Sequence, residues 1–155
     1  MEFKSQESIA FLLRQAFWGF KGVMNSKLKS LGHDFSMEQG GVLIRLGMND
    51  GLPQNELAAF LGKDKTTIAR LIDSMEKSLL VIRVASSVDK RIKLVYRTNK
   101  GKSVQKDVHS CIKETLGESL KGVSYEDEEI TKKVLKRIFD NLELDKNDIG
   151  NLPQC

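Results

Sequence analysis

The stretch "QNELAAFLGKDKTTIARL", residues 54 to 71, decides the fold. Its spacing is that of two short helices crossing at a tight turn. Leu57 and Leu61 pack from the first helix, Ala58 is small where the helices cross, Gly62 takes the turn, and Ile68 with Leu71 pack from the second. A helix-turn-helix of this kind presents the N-terminal half of its second helix, here Lys65, Thr66, Thr67 and Arg70. In a major groove, Arg can bind guanine bidentately, while Thr can reach a phosphate or a thymine methyl. The plainer alternative is the solvent face of a core helix.

Asp64 is placed to cap that second helix, which continues with Ile68, Leu71, Ile72, Met75 and Leu79 on one side and Thr66, Arg70 and Lys77 on the other. Next comes "VIRVASSVDKRIKLVYRT", residues 81 to 98: two β-prone runs, 81 to 85 and 92 to 97, joined by "SSVDKR". A helix in the major groove carries the following β-ribbon over the flanking backbone. A cationic tip then enters the adjacent minor groove, where narrow A·T-rich stretches attract Arg. Arg91 is the expected minor-groove residue, and Asp89 is expected to orient an Arg through a charge-assisted hydrogen bond. Lys90, Lys93 and Arg97 are the expected phosphate contacts. An ordinary charged loop is the competing reading of this hairpin.

Upstream, residues 5 to 31 read as one long helix with Ile9, Leu12, Leu13, Ala16, Phe17, Phe20, Met24, Leu28 and Leu31 at helical spacing. Phe11, Trp18 and Gly22 give it a second apolar face. One small core cannot use both, so either the rest of the chain wraps the helix or one face packs on a second copy, and the second is favoured. Ser36 and Gln39 form a capping-box pattern for a helix with Val42, Leu43 and Leu46 inside. "MNDG" ends it, and Pro53 suits the first turn of the next helix, whose buried positions are Leu57, Phe60 and Leu61. Downstream, Thr98 caps a long helix whose apolar positions are Val104, Val108, Cys111, Ile112, Leu116 and Leu120. After a break at "GVS", a last helix carries Ile130, Val134, Leu135, Ile138, Phe139 and Leu142, with acids in its first turn where the helix dipole favours them. The tail "DKNDIGNLPQC" is expected to fray.

The 155 residues fit one domain. Net charge is +4, but residues 62 to 106 hold twelve Lys or Arg against four acids, a net +8, leaving −4 for the rest. A basic block in an otherwise acidic chain is the footprint of a polyanion-binding surface. No apolar run approaches the roughly 20 residues of a membrane span. The N-terminus "MEFKSQESIA" lacks the apolar core of a secretory signal, so a cytoplasmic location is expected. Two cysteines cannot make a disulfide framework. Cys111 falls on an apolar stripe and reads as a small buried hydrophobe, and Cys155 is terminal. His109 and Cys111 do not share a helix face, and His33 reads as a polar loop residue, so no metal site is expected. Nothing resembles a nucleophile elbow, a phosphate loop or paired catalytic carboxylates, so the chain is not expected to be an enzyme.

Four elements together resemble the MarR family of bacterial winged-helix transcriptional regulators. They are "ELAAFLGKDKTTIARLIDSMEK", Arg83 after "LLV", the Asp-x-Arg pair of "DKR" at Asp89 and Arg91, and "YRTNKGK" leading out of the hairpin. The motifs cover about residues 36 to 106 and the flanking helices match by pattern. Leu79 stands where the family usually has Gly, Lys63 where the turn is usually apolar, and Met75 and Tyr96 where Leu is usual.

The resemblance implies a mainly α fold with a small β-hairpin wing (α+β). A single MarR-like domain over 1–155 would have dimerisation helices at 5–31 and 100–144 flanking a winged helix-turn-helix lobe at 36–98. It implies a homodimer on a pseudopalindromic double-stranded DNA operator, acting as a repressor released by a small aromatic effector, with no cofactor and no membrane partner. Phe11, Trp18 and Gly22 then belong to the dimer interface or the effector pocket. Phe20 also fits that pocket by pattern, although plain core or dimer packing is the favoured role for these aromatics. Family members that sense peroxides use a cysteine in the first helix, which has none here. The competing function is a winged-helix protein-interaction module that does not bind DNA.

Overall fold

The computed structural model describes residues 8–142. The chain runs α1 (Ile9–Ser30), α2 (Met37–Met48), β1 (Leu52–Pro53), α3 (Gln54–Leu61), α4 (Lys65–Lys77), β2 (Val81–Ala85), β3 (Lys93–Arg97), α5 (Asn99–Ser119) and α6 (Tyr125–Asn141). The expectations for residues 5 to 7, for the tail and for Cys155 lie outside the described residues.

Helix starts coincide with short polar side chains that satisfy otherwise unpartnered N–H groups. Ser8, Ser36, Asp64, Thr98 and Ser124 each accept a backbone N–H three residues on. At Ser36 the box is reciprocal, because the Gln39 side chain accepts the Ser36 N–H at 2.8 Å. The Gln39 amide also donates to Ser74 Oγ at 3.3 Å, tying α2 to α4. Gly62 ends α3 in the left-handed region (φ 59°), where a side chain would be strained.

The three strands form one antiparallel sheet in the order β1-β3-β2. The hairpin pairs Val81 with Arg97 and Ala85 with Lys93. β1 was not foreseen: two residues carry no periodicity, and only the pairing of Leu52 with Val95 makes them a strand. Val42, Leu43 and Leu46 from α2, Leu57 from α3, Ile68, Ile72 and Met75 from α4, and Val81 and Val95 from the sheet are buried in one core. It continues through Val104, Val108 and Cys111 of α5 to Met24 and Leu28 of α1. Cys111 is the buried hydrophobe the stripe implied, and its burial raises the thiol pKa.

Two apolar assignments need correction. Leu79 does not lie on the buried face of α4: the helix stops at Lys77, Leu79 takes φ 60°, and its side chain is 66% exposed. The left-handed residue swings the chain so that Leu80 and Val81 enter the core instead. Phe60 is 49% exposed, with the Arg45 guanidinium 5.7 Å from its ring centroid. In the "YRTNKGK" element, the glycine is sterically required. A Cβ at Gly101 would lie 2.0 Å from the Leu80 carbonyl oxygen, where α5 crosses the start of β2.

The outer helices differ from the lobe. In α1 only Met24 and Leu28 are buried, while Ile9, Leu12, Phe17 and Trp18 face outwards. α6 buries no residue at all, and Ile130, Val134, Leu135 and Phe139 are exposed. Among the described residues, no helix is long and apolar enough to cross a membrane.

Candidate nucleic-acid interface

The surface to be built starts at the N-terminus of α4. Asp64 accepts the Thr67 N–H at 2.8 Å and the Thr67 hydroxyl at 2.5 Å. These bonds hold the Asp64 carboxyl below its ordinary pKa, with the Thr67 hydroxyl the largest cause. Thr67 is half-buried and its hydroxyl is engaged in the cap, whereas Lys65, Thr66 and Arg70 are exposed. Neither Lys65 nor Arg70 makes an ion pair among the described residues, so both cations are available to an incoming anion.

An arginine holds the wing against this helix. The Arg83 guanidinium, 18% exposed, reaches Asp73 at 2.7 Å and Glu76 at 2.6 Å on α4. It also donates to the Ala69 carbonyl at 3.1 Å and to Gln54 Oε1 at 2.8 Å, at the start of α3. The second oxygen of Glu76 accepts the Arg83 backbone N–H at 2.8 Å. One side chain thus joins β2, α3 and α4. Between wing and helix lies an open groove of about 540 Å³ lined by Pro53, Gln54, Asn55, Lys65, Ala69 and Ile92.

At the wing tip, Asp89 Oδ1 accepts the Arg91 backbone N–H at 3.0 Å and its Nε at 3.2 Å, and Asp89 Oδ2 accepts Nη2 at 3.2 Å. The Arg91 guanidinium beside it keeps the Asp89 carboxyl ionised below its usual range. Arg91 is still 92% exposed at its side chain, and Nη1 has no partner among the described residues. The carboxylate therefore aims the guanidinium without consuming it, as the sequence led us to expect. Lys90 and Lys93 are also exposed.

Arg97 is different. The sequence placed it among the phosphate contacts, but its side chain is 15% exposed and lies 3.1 Å from Asp50, with a further bond to Gln105. Its backbone N–H and Nε also donate to Asp50. Arg97 braces the base of the wing and does not reach outwards. His33, read as a plain loop residue, bonds Asp107 of α5 at 2.8 Å. Both partners are remote in sequence, 47 and 74 residues away, so no local signal announced them.

A second concavity of about 380 Å³ lies between α1, α2, α3 and α5, lined by Phe17, Phe20, Met24, Ile44, Phe60 and Lys63 among others. Phe20 lines it as its pattern allowed, and the exposure of Phe60 is explained by this space. Phe11, Trp18 and Gly22 do not line it. Phe11 lies under Arg14, Trp18 meets Phe17 edge-on with Lys21 over its ring, and the space beside Gly22 is open. Among the described residues, no group of three or more His, Cys, Asp or Glu could hold a metal ion.

With this geometry in place, comparison with known proteins gives consistent results. Residues 33–92, which span α2 to the wing tip, match the model of the MarR family. An uncharacterized HTH-type transcriptional regulator of Bacillus subtilis, YybA, is 29% identical over 123 residues, covering 79% of this chain and 81% of that protein. The S. aureus MepR–DNA complex is similar at TM-score 0.80 and 25% identity, covering 90% of this chain and 99% of that one. A probable transcriptional regulator from Pseudomonas aeruginosa is similar at TM-score 0.77 and 26% identity, covering 86% and 98%. Helix order, braced wing and these likenesses agree: residues 33–92 are similar to the MarR family, and the chain has the winged helix-turn-helix fold of the transcriptional regulators it resembles.

Proposed function

We propose that this protein is a homodimeric, sequence-specific double-stranded DNA-binding transcriptional regulator. The observation that carries the reading is the joint exposure of Lys65, Thr66 and Arg70 on α4 beside a wing whose tip presents Lys90 and an aimed Arg91. A helix of α4's length enters a major groove end-on, and the wing then meets the adjacent minor groove. Arg70 reads a base edge, Lys65 and Thr66 position the helix, Lys90 and Lys93 hold phosphates, and Arg91 enters the minor groove. Thr67 serves mainly to donate to the Asp64 cap. Asp89 acts only through Arg91.

The dimer is supported by α6, whose apolar side has no cover from the described residues, and by the exposed half of α1, including Trp18 and the open space at Gly22. The segments 5–31 and 100–144, which contain α1, α5 and α6, would form the two-fold interface and 36–98 the reading lobe. Two lobes related by a two-fold axis read a pseudopalindrome. The cavity at Phe20 and Phe60 suits a small aromatic effector, and Lys63 connects it to the turn before α4. An effector held there would release DNA, which makes repression the favoured mode.

Fluorescence anisotropy with a duplex from the gene's own upstream region and a scrambled duplex, over a salt series, tests the reading. Tight binding to the first and a loss of about a thousandfold between roughly 50 and 200 mM salt are expected for six or more phosphate contacts. Arg70→Ala should cost about 1–3 kcal/mol on the preferred sequence and relax base preference, whereas Lys90→Ala should weaken all DNA alike. Failure to retain even scrambled DNA at low salt would sink the reading in favour of a protein-interaction module.

A further inference from the structure

One residue at the wing tip contributes neither charge nor packing to the lobe. Val88 is 95% exposed, next to Asp89 and three residues before Arg91. It does not sit on a loose loop. Its backbone N–H donates to Ser86 Oγ at 3.2 Å, the Asp89 N–H reaches the same oxygen at 3.5 Å, and the Ile92 N–H closes onto the Asp89 carbonyl at 2.9 Å. The turn that aims Arg91 therefore also projects an isopropyl group into water with no partner among the described residues.

A minor groove provides the partner. Its A·T pairs present only acceptors on a smooth floor, whereas each G·C pair adds the guanine N2 amino donor. An apolar side chain pressed on that floor packs over A·T, but over G·C it buries a donor that it cannot satisfy. A cation in the same turn is drawn to a narrow, A·T-rich groove, so both groups select the same sequences. We infer that Val88 is a specificity-determining residue that packs on the minor-groove floor beside Arg91 and rejects G·C pairs there. The inference rests on the DNA-binding reading above. It assigns to Val88 a discrimination that charge alone does not supply, because Arg91 responds to the width and potential of the groove, whereas Val88 meets the guanine amino group itself.

The test uses the full-length chain and duplexes it selects from a randomised pool, with the wing-covered segment located by hydroxyl-radical footprinting. A·T pairs in that segment are replaced by 2,6-diaminopurine·thymine, which adds the minor-groove amino group and leaves the major groove unchanged. The expected result is a loss of about tenfold for the native chain, within the range for one disfavoured pair. Replacing G·C by inosine·cytosine in a G·C-substituted segment should restore binding. Val88→Ser should bind the A·T duplex within about threefold of the native chain but lose most of the discrimination between adenine and diaminopurine, a contrast in the single-contact range. Equal discrimination by both proteins would overturn the role of Val88 and leave groove reading to Arg91. Selected duplexes with G·C under the wing would overturn it as well. If no duplex is retained from the pool, the DNA-binding reading itself fails and this inference with it. Unchanged thermal unfolding of Val88→Ser checks the fold.

Discussion

The winged lobe and the outer helices meet the same requirement, burial of apolar side chains, in opposite ways. In the lobe, Leu43, Leu46, Leu57, Ile68, Ile72 and Met75 are wholly enclosed by their own chain. In α6 no residue is enclosed, although Val134, Leu135 and Phe139 recur at helical spacing as regularly as any core position. Periodicity marks which side of a helix is apolar. It does not say whether the covering surface belongs to the same molecule.

The largest expected effect breaks that contrast at its weaker side. Val134→Asp would place an unpaired charge in each half of a two-fold interface and should cost the dimer several kcal/mol, about a hundredfold or more in dissociation constant. Sedimentation velocity at micromolar concentration reads the outcome: a persistent dimer would mean that α6 is not its interface. Next, Arg83→Met should lower lobe stability by about 2 kcal/mol in urea unfolding, less than for a fully buried ion pair because its carboxylate partners keep some water. A loss below about 0.5 kcal/mol, typical of exposed pairs, would show that the wing is held by the sheet alone. Smaller again, and opposite in sign, Leu79→Gly should stabilise by about 1 kcal/mol, since a non-glycine residue in the left-handed region costs about 1–2 kcal/mol and this side chain is exposed. No gain would mean that Leu79 packs on something beyond its own chain.

The smallest effect is the pH dependence of the wing tip. The Asp89 pKa is lowered on folding by Arg91. Its contribution is therefore complete above the ordinary carboxylate range and is lost as pH falls through the lowered value. Carboxyl NMR titration should find Asp89 still ionised below the ordinary range of an aspartate, with the Arg91 side-chain signals shifting at the same midpoint. An Asp89 midpoint at the ordinary aspartate value would mean that the pair does not form in solution.

Most of the lobe could be read from the sequence because its signals are local. Ser36 and Gln39, Gly62, and Asp64 with Thr67 each fix a helix end within three or four residues, and the "DKR" pairing closes within two. Features that escaped depend on distance. Arg91 and Arg97 are the same residue type in one hairpin, yet one reaches out and the other is held by Asp50, 47 residues away. Leu79 continues the spacing of Ile72 and Met75, but the helix has already ended and a left-handed residue reverses the count. Phe60 fits the buried pattern of α3 and instead faces a cavity that only the packing of α1 and α5 creates. β1 exists because Val95 pairs with Leu52, not because of its own two residues.

The Arg83 cluster has a mechanical consequence. Its guanidinium bonds α3 and α4 to β2 at once, so the recognition helix and the wing move as one rigid unit. In a two-fold assembly, a switch would then act not by swinging the wing away from the helix but by altering the span between two such units. Operators match that span at about 34 Å, one helical turn of DNA. Signal and sequence would be separated within the molecule: each lobe would retain which bases it reads, and the angle between the lobes would decide whether both can read at the same time.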